Sequence, residues 1–248
     1  MSAMSTMFKK RLPRVRPAPP VQARHMEYSM LFSADDDAAQ PSPYLISVAV
    51  NAIQRAQTIA LEHLSARLPQ PPYYPDIWPG EHYKLLAGLI ATLQPKVVIE
   101  IGTATGLSAL AMKQTLADDA KIVTFDVLDL PTIRASGIVH DEDLSDGRLV
   151  IHTDDLTQPA VFSKHDALIQ EAGFIFIDAA KDGVMEQTLL DLLRTVSFRV
   201  KPLVVFDDIR LWKMLKIWRN VSFPKLDLTS FGHYTGTGLI DWPMTATP

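Results

Sequence analysis

No cysteine occurs among the 248 residues, which excludes disulfides, thiolate metal sites and cysteine nucleophiles. That absence is compatible with a cytoplasmic protein, the location expected here. Positive charge is not in excess either. The chain has 24 Lys and Arg against 28 Asp and Glu, a net charge of -4, so there is no overall electrostatic case for nucleic-acid binding. No segment stays apolar long enough to span a bilayer, and no membrane partner is expected. What is present is apolar material: 47% hydrophobic residues in a chain of this length suit one large core better than two small ones.

The positive charge that exists gathers at the N-terminus, where Lys9, Lys10, Arg11, Arg14, Arg16 and Arg24 alternate with Pro13, Pro17, Pro19 and Pro20. No apolar core follows them, so a secretory signal is not expected, and residues 1–40 read as a flexible basic, Pro-rich tail and linker. Residues 41–79 read as a helical extension. Leu45, Val48, Val50, Ile53, Ala56, Ile59, Leu61 and Leu64 recur at helical spacing over Tyr44 to Leu68, and Pro69, Pro71, Pro72 and Pro75 close the run. A second helix is expected over Gly80 to Leu93. These helices are candidates to cover a ligand or to pair two subunits in a homodimer.

From Val97 the pattern alternates. Strands are expected at Val97–Ile101, Lys121–Asp126, Arg148–His152, Gly173–Asp178 and Leu203–Asp207, with helices at Leu107–Leu116, Pro159–Gln170, Met185–Val196 and Leu211–Trp218. Such alternation predicts an α/β, doubly wound, mostly parallel sheet with right-handed crossovers. The last two strand-like runs, Lys225–Phe231 and Thr237–Trp242, are too close for a crossover helix and predict an antiparallel hairpin.

The first strand ends in Glu100-Ile101-Gly102-Thr103-Ala104-Thr105-Gly106-Leu107-Ser108. A dinucleotide fingerprint needs G-x-G-x-x-G; here Ala104 stands where its second glycine belongs, and an acid at the strand end would repel a pyrophosphate. That acid could instead favour a cationic group, directly or by fixing the loop through backbone hydrogen bonds. The E-x-G-x-x-x-G pattern and the terminal hairpin resemble class I S-adenosylmethionine-dependent methyltransferases over about residues 80–242. The resemblance implies a seven-stranded Rossmann-like methyltransferase domain over residues 80–248. Its cofactor site would use Glu100, Gly102, Thr103, Gly106 and Ser108 in the turn, Asp126 for the ribose hydroxyls and Asp155 near the adenine amine, with Asp154 as the alternative.

Asp178, Asp207 and Asp208 fall at adjacent strand ends, and three hard carboxylates converging there suit Mg²⁺. They resemble the metal site of the catechol and caffeoyl-CoA O-methyltransferases, and Lys181 stands where the catechol enzymes carry their catalytic lysine. Asp208 departs from that pattern, because the catechol family has asparagine there; the paired aspartates look more like bacterial sugar and antibiotic O-methyltransferases. The resemblance therefore implies an enzyme that methylates a hydroxyl of a small molecule, such as a phenol, a sugar or a natural-product intermediate, assisted by a divalent metal. Asp178 and Lys181 would be catalytic. His82, Tyr83, Arg210, Trp212, His233 and Tyr234 fall in segments expected to border the same crevice, with His233 an alternative base. A metal-independent N- or C-methyltransferase, a non-catalytic scaffold of the same fold and a nicotinamide oxidoreductase are the competing readings.

Overall fold

The computed structural model describes residues 40–245. The basic tail read over residues 1–40 lies outside them but for its last residue. Helix α1 (Pro43–Ala56) starts where Pro43 can occupy the first turn and the Ser42 hydroxyl accepts from the Leu45 amide. Its buried positions, Leu45, Val48, Ala49, Ala52 and Ala56, keep helical spacing, whereas Val50 is half-exposed on the opposite side. The long helix expected from Tyr44, with allowance for one break, is divided: α1 ends at Ala56 and the short α2 (Glu62–Ser65) follows. Helix α3 (Tyr83–Leu93) then leads directly into the sheet.

Strands β1 (Val97–Ile101), β2 (Lys121–Phe125), β3 (Leu149–His152), β4 (Phe174–Ile177), β5 (Leu203–Asp207), β6 (Lys225–Asp227) and β7 (Thr237–Asp241) form one seven-stranded sheet in the order β3-β2-β1-β4-β5-β7-β6. The first five are parallel; β7 pairs antiparallel with both β5 and β6. The doubly wound architecture with a reversed final pair is thus the one the alternation predicts, with helix α4 (Leu107–Lys113) ending a turn earlier than expected. The mixed loop after β2 contains α5 (Leu130–Ala135) and α6 (Asp141–Leu144), and the helix expected over Pro159–Gln170 divides into α7 (Pro159–Lys164) and α8 (Asp166–Gln170).

Strand period decides which side chains enter which layer. Val98, Phe174, Phe176, Leu203 and Val205 point to a core shared with α1, α3 and α4. Val97, Ile99, Ile101, Ile175, Ile177, Val204 and Phe206 point to the other, shared with α7, α8, α9 (Met185–Arg194) and α10 (Trp212–Asn220). Burial of both faces explains why β1, β4 and β5 are almost wholly apolar, broken only by Glu100 in β1 and Asp207 at the end of β5. The helical extension is part of this core: the apolar face of α1 is covered by α3 of the same chain. Among the described residues no helix is long and apolar enough to cross a membrane.

The α1–α3 contact is close because α3 presents Gly88, where a Cβ would stand 2.4 Å from the carbonyl oxygen of Ala52. Gly88→Ala should therefore force the helices apart. Although alanine gains helix propensity, the overpacking is expected to lower stability by about 1–3 kcal/mol. Urea denaturation checks this, and an unchanged or higher midpoint would show that the helices separate freely.

Candidate active site

The turn after β1 is held from beneath. Glu100 faces the α4 side and is fully buried; its two carboxylate oxygens accept the Ser108 hydroxyl at 2.6 Å and the Thr124 hydroxyl at 2.6 Å. The Thr103 hydroxyl meets that of Thr124 at 2.7 Å. Glu100, Thr103 and Ser108 therefore tie β1, β2 and α4 together beneath the adjoining cavity and are not among the residues that line it. Burial pushes the Glu100 carboxyl up to about 7, against partial compensation from the two hydroxyls. The glycines serve the same packing. Gly102 has φ +103°, and a Cβ there would stand 1.9 Å from the Asp178 carbonyl oxygen; Gly106, at φ +80°, faces Val139 in the same way. Ala104 takes φ +45° without being glycine, and its amide donates to Asp126 at 2.8 Å.

Beyond the turn lies a cavity of about 460 Å³ at the carboxyl ends of β1, β2 and β4. Gly102, Asp126, Asp155, Asp178 and Lys181 line it, with Val127, Leu156 and Met185 as apolar wall. Each Asp126 oxygen accepts one backbone amide, from Ala104 and Leu128, which leaves further acceptor capacity facing the cavity. Asp155 is more committed, because one oxygen takes both the amide and the hydroxyl of Thr157 and the other takes Gln158 at 3.2 Å. Asp154 is held by His165 at 2.8 Å.

A second cavity, of about 260 Å³, shares Asp178 and Lys181 with the first and is also lined by Tyr74, Glu81, His82, Tyr83, Asp207, Asp208, His233 and Tyr234. Oxygens of Asp178, Asp207 and Asp208 lie within 4.8 Å of one another. Such crowding must be balanced. Lys181 Nζ contacts Asp178 and stands 3.1 Å from Asp208, and His233 Nδ1 is 3.0 Å from Asp207. Burial would lower the Lys181 pKa, but the two carboxylates override it and raise it well above the ordinary lysine value. Burial would likewise lower His233, yet hydrogen bonds and charge from Asp207, Asp208 and Glu81 hold it at about 10. Burial and the charge of Asp207 push Asp178 up, whereas His82 and His233 more than offset burial at Asp207 and keep it low. Lys181 and Asp208 both have left-handed backbones, at φ 56° and 59°, a strain that persists where surrounding structure enforces it.

Two of the residues expected at the crevice are elsewhere. Trp212 is 84% exposed in a separate groove, and Arg210 pairs with Asp227 at 3.4 Å. Glu81 and Tyr74 carry no motif and gained no notice in the sequence. They reach the site because the segment 78–82 zips onto the β6–β7 loop: Trp78 Nε1 donates to the Phe231 carbonyl, Gly80 to that of Gly232, and Tyr234 to that of Gly80.

A parallel sheet with a reversed edge pair, bearing ligand cavities at the ends of its central strands, defines the class I methyltransferase architecture. A family model described as O-methyltransferase matches residues 55–217, and the chain belongs to that family. It is 34% identical over 114 residues to a caffeoyl-CoA O-methyltransferase of Mesembryanthemum crystallinum, covering 43% of this chain and 42% of that one. Tricin synthase 2 of Oryza sativa subsp. japonica is 32% identical over 124 residues, covering 47% and 40%. The matches span less than half the length of these relatives. Among solved structures, a methyltransferase of Podospora anserina bound to SAH aligns over 83% of this chain and 91% of its own at 18% identity, with a TM-score of 0.47.

The Glu100 cluster makes a prediction about stability. A carboxyl near 4.5 when unfolded and about 7 when folded binds more protons in the native state between those values. Its contribution is thus favourable at low pH and is lost as pH rises from about 4.5 through about 7. Glu100→Gln should flatten the fall in stability across that window, measured by urea melts at stepped pH. A slope identical to that of the parent protein would show that Glu100 does not titrate there.

Proposed function

We propose that this chain transfers the methyl group of S-adenosylmethionine to a hydroxyl oxygen of a small molecule, with a divalent cation at the acidic cluster. The observation that carries this reading is the meeting of two cavities at Asp178 and Lys181, one suited to a nucleoside-bearing donor and the other to an acceptor. Asp126 has the acceptor capacity for two ribose hydroxyls, and Val127, Leu156 and Met185 offer an apolar slot for the base. Tyr74, Tyr83 and Tyr234 around the second cavity favour a flat, phenol-like acceptor.

In the reaction a C–O bond forms as the C–S bond breaks, sulfur takes the electron pair, and the hydroxyl proton must leave. Asp178, Asp207 and Asp208 fit a divalent cation: they are hard donors within reach of one centre, and Asp207 Oδ1 is buried without a hydrogen bond. When bound, the cation would polarise the acceptor hydroxyl. Lys181 is then no longer held by two free carboxylates and has a positive charge beside it, so its proton becomes easier to lose and the amine can serve as base. Gly102 and Ala104 hold the turn against Asp178 and Asp126, so donor and acceptor sites are fixed relative to each other. A metal-independent transferase has one observation in its favour: Lys181 and His233 already balance much of the acidic charge.

Exhaustive chelation should abolish methyl transfer to a responsive phenolic substrate, and added divalent ion should restore it; full activity in chelator would remove the metal from the reading. Asp126→Ala should weaken S-adenosylmethionine binding by about 1–3 kcal/mol, read by calorimetry, since a charge-assisted acceptor is lost. Lys181→Gln should lower kcat about 10²–10⁴-fold while leaving cofactor affinity nearly intact. A kcat close to that of the parent would assign the base elsewhere.

A further inference from the structure

His82 is 4% exposed, and neither of its ring nitrogens makes a hydrogen bond among the described residues. Buried polar atoms without partners are rare, and each needs a physical reason. Nδ1 stands 3.4 Å from Oδ1 of Asp207, itself a buried oxygen with no hydrogen bond. His233 approaches the other oxygen of that carboxylate, with Nδ1 at 3.0 Å, and the two imidazole rings lie 5.3 Å apart and nearly perpendicular. Ligand atoms of His82, Asp207 and His233 all fall within 4.8 Å of one another, as do those of Asp178, Asp207 and Asp208; Asp207 belongs to both sets. At its far nitrogen, His233 has Glu81 Oε2 at 3.6 Å.

We propose that the metal centre of this chain is a mixed imidazole–carboxylate site, in which His82 and His233 join Asp207, and that it selects a borderline transition-metal dication of the zinc type over Mg²⁺. The inference rests on the metal-assisted reading above and concerns which residues and which ion. His82 Nδ1 approaches one oxygen of Asp207 at 3.4 Å and His233 Nδ1 the other at 3.0 Å, so both imidazoles face the same carboxylate, as ligands to an ion held between them would. Imidazole nitrogen suits zinc, nickel and iron, whereas Mg²⁺ prefers oxygen and keeps several waters. Asp207 is 1% exposed and His82 4%, so both groups are withdrawn from bulk solvent, which favours direct imidazole and carboxylate ligation over a water-rich shell. A carboxylate at the outer nitrogen of a ligating histidine is the usual means of fixing the ring, and Glu81 is placed for that role.

The test uses the full chain, stripped by chelator and reloaded with Mn²⁺, with pulsed EPR reading coupling to imidazole nitrogen. A second trio, His152, Asp154 and His165, lies at the end of β3, so the measurement is made in a His165→Asn background to keep that group silent. Strong nitrogen coupling is expected, and His233→Asn should reduce it. The same substitution should weaken Zn²⁺ binding by about tenfold or more while changing Mg²⁺ binding far less. Absence of nitrogen coupling, or equal loss of Zn²⁺ and Mg²⁺ affinity, would overturn the inference. His82→Asn is the second variant; if it does not fold by circular dichroism, the coupling in the protein with both histidines and the His233 result decide the matter. Mg²⁺ binding with no nitrogen coupling would sink only this assignment. Failure of every divalent ion to bind, with S-adenosylmethionine still stabilising the protein, would sink the metal-assisted reading as well.

Discussion

Repulsion among Asp178, Asp207 and Asp208 is the constraint around which this sheet edge is organised. Parallel pairing of β4 and β5 in register, Ile177 beside Phe206, delivers Asp178 and Asp207 to neighbouring positions whether or not their charges agree. Carboxylates this close and this buried cannot all ionise without nearby positive charge. The chain supplies it from two directions. Lys181 comes from the loop after β4, and His82 and His233 come from the start of α3 and from the β6–β7 loop. The left-handed turns at Lys181 and Asp208 are where the backbone yields to that requirement.

The reversed final pair has a consequence for chemistry as well as for topology. Because β7 lies between β5 and β6, the loop joining the last two strands, residues 228–236, returns to the carboxyl ends of the central strands. There it exchanges backbone hydrogen bonds with Gly80, one residue before Glu81 and two before His82. Residues about 150 apart in sequence thereby become neighbours, and the acidic edge acquires a roof carrying imidazoles and phenols. In a sheet ending in another parallel strand, no hairpin loop would come back to this place.

Legibility followed the range of the interactions. Alternating apolar runs and the short final spacing sufficed for the sheet, since strand burial and connection length act locally on sequence. The carboxylates at the strand ends were legible for the same reason. Helix boundaries were less so: α1 stops at Ala56 although apolar residues continue to Leu64, since periodicity marks a buried face and not a last turn. His82 and His233 were legible as residues near the crevice, but their meeting at Asp207 was not. Each is a lone histidine in its own segment, and only the pairing of the 78–82 segment with the hairpin loop joins them.

Glu100 shows how a motif residue can act from beneath its turn. The acid, two glycines and a following serine mark a strand-to-helix turn above a ligand crevice, and the crevice is there. Yet strand period places Glu100 on the α4 face with Val98, so its carboxylate turns away from the cavity and into hydroxyls. Gly102 is required by the Asp178 carbonyl, which a Cβ would strike. The motif thus fixes the distance between the β1 turn and the end of β4. Ala104 tolerates a left-handed backbone because its amide reaches Asp126, so the same turn also fixes the end of β2. Three strand ends are therefore clamped together by this turn, and Asp126 and Asp178 are the carboxylates that the clamp presents to the cavity.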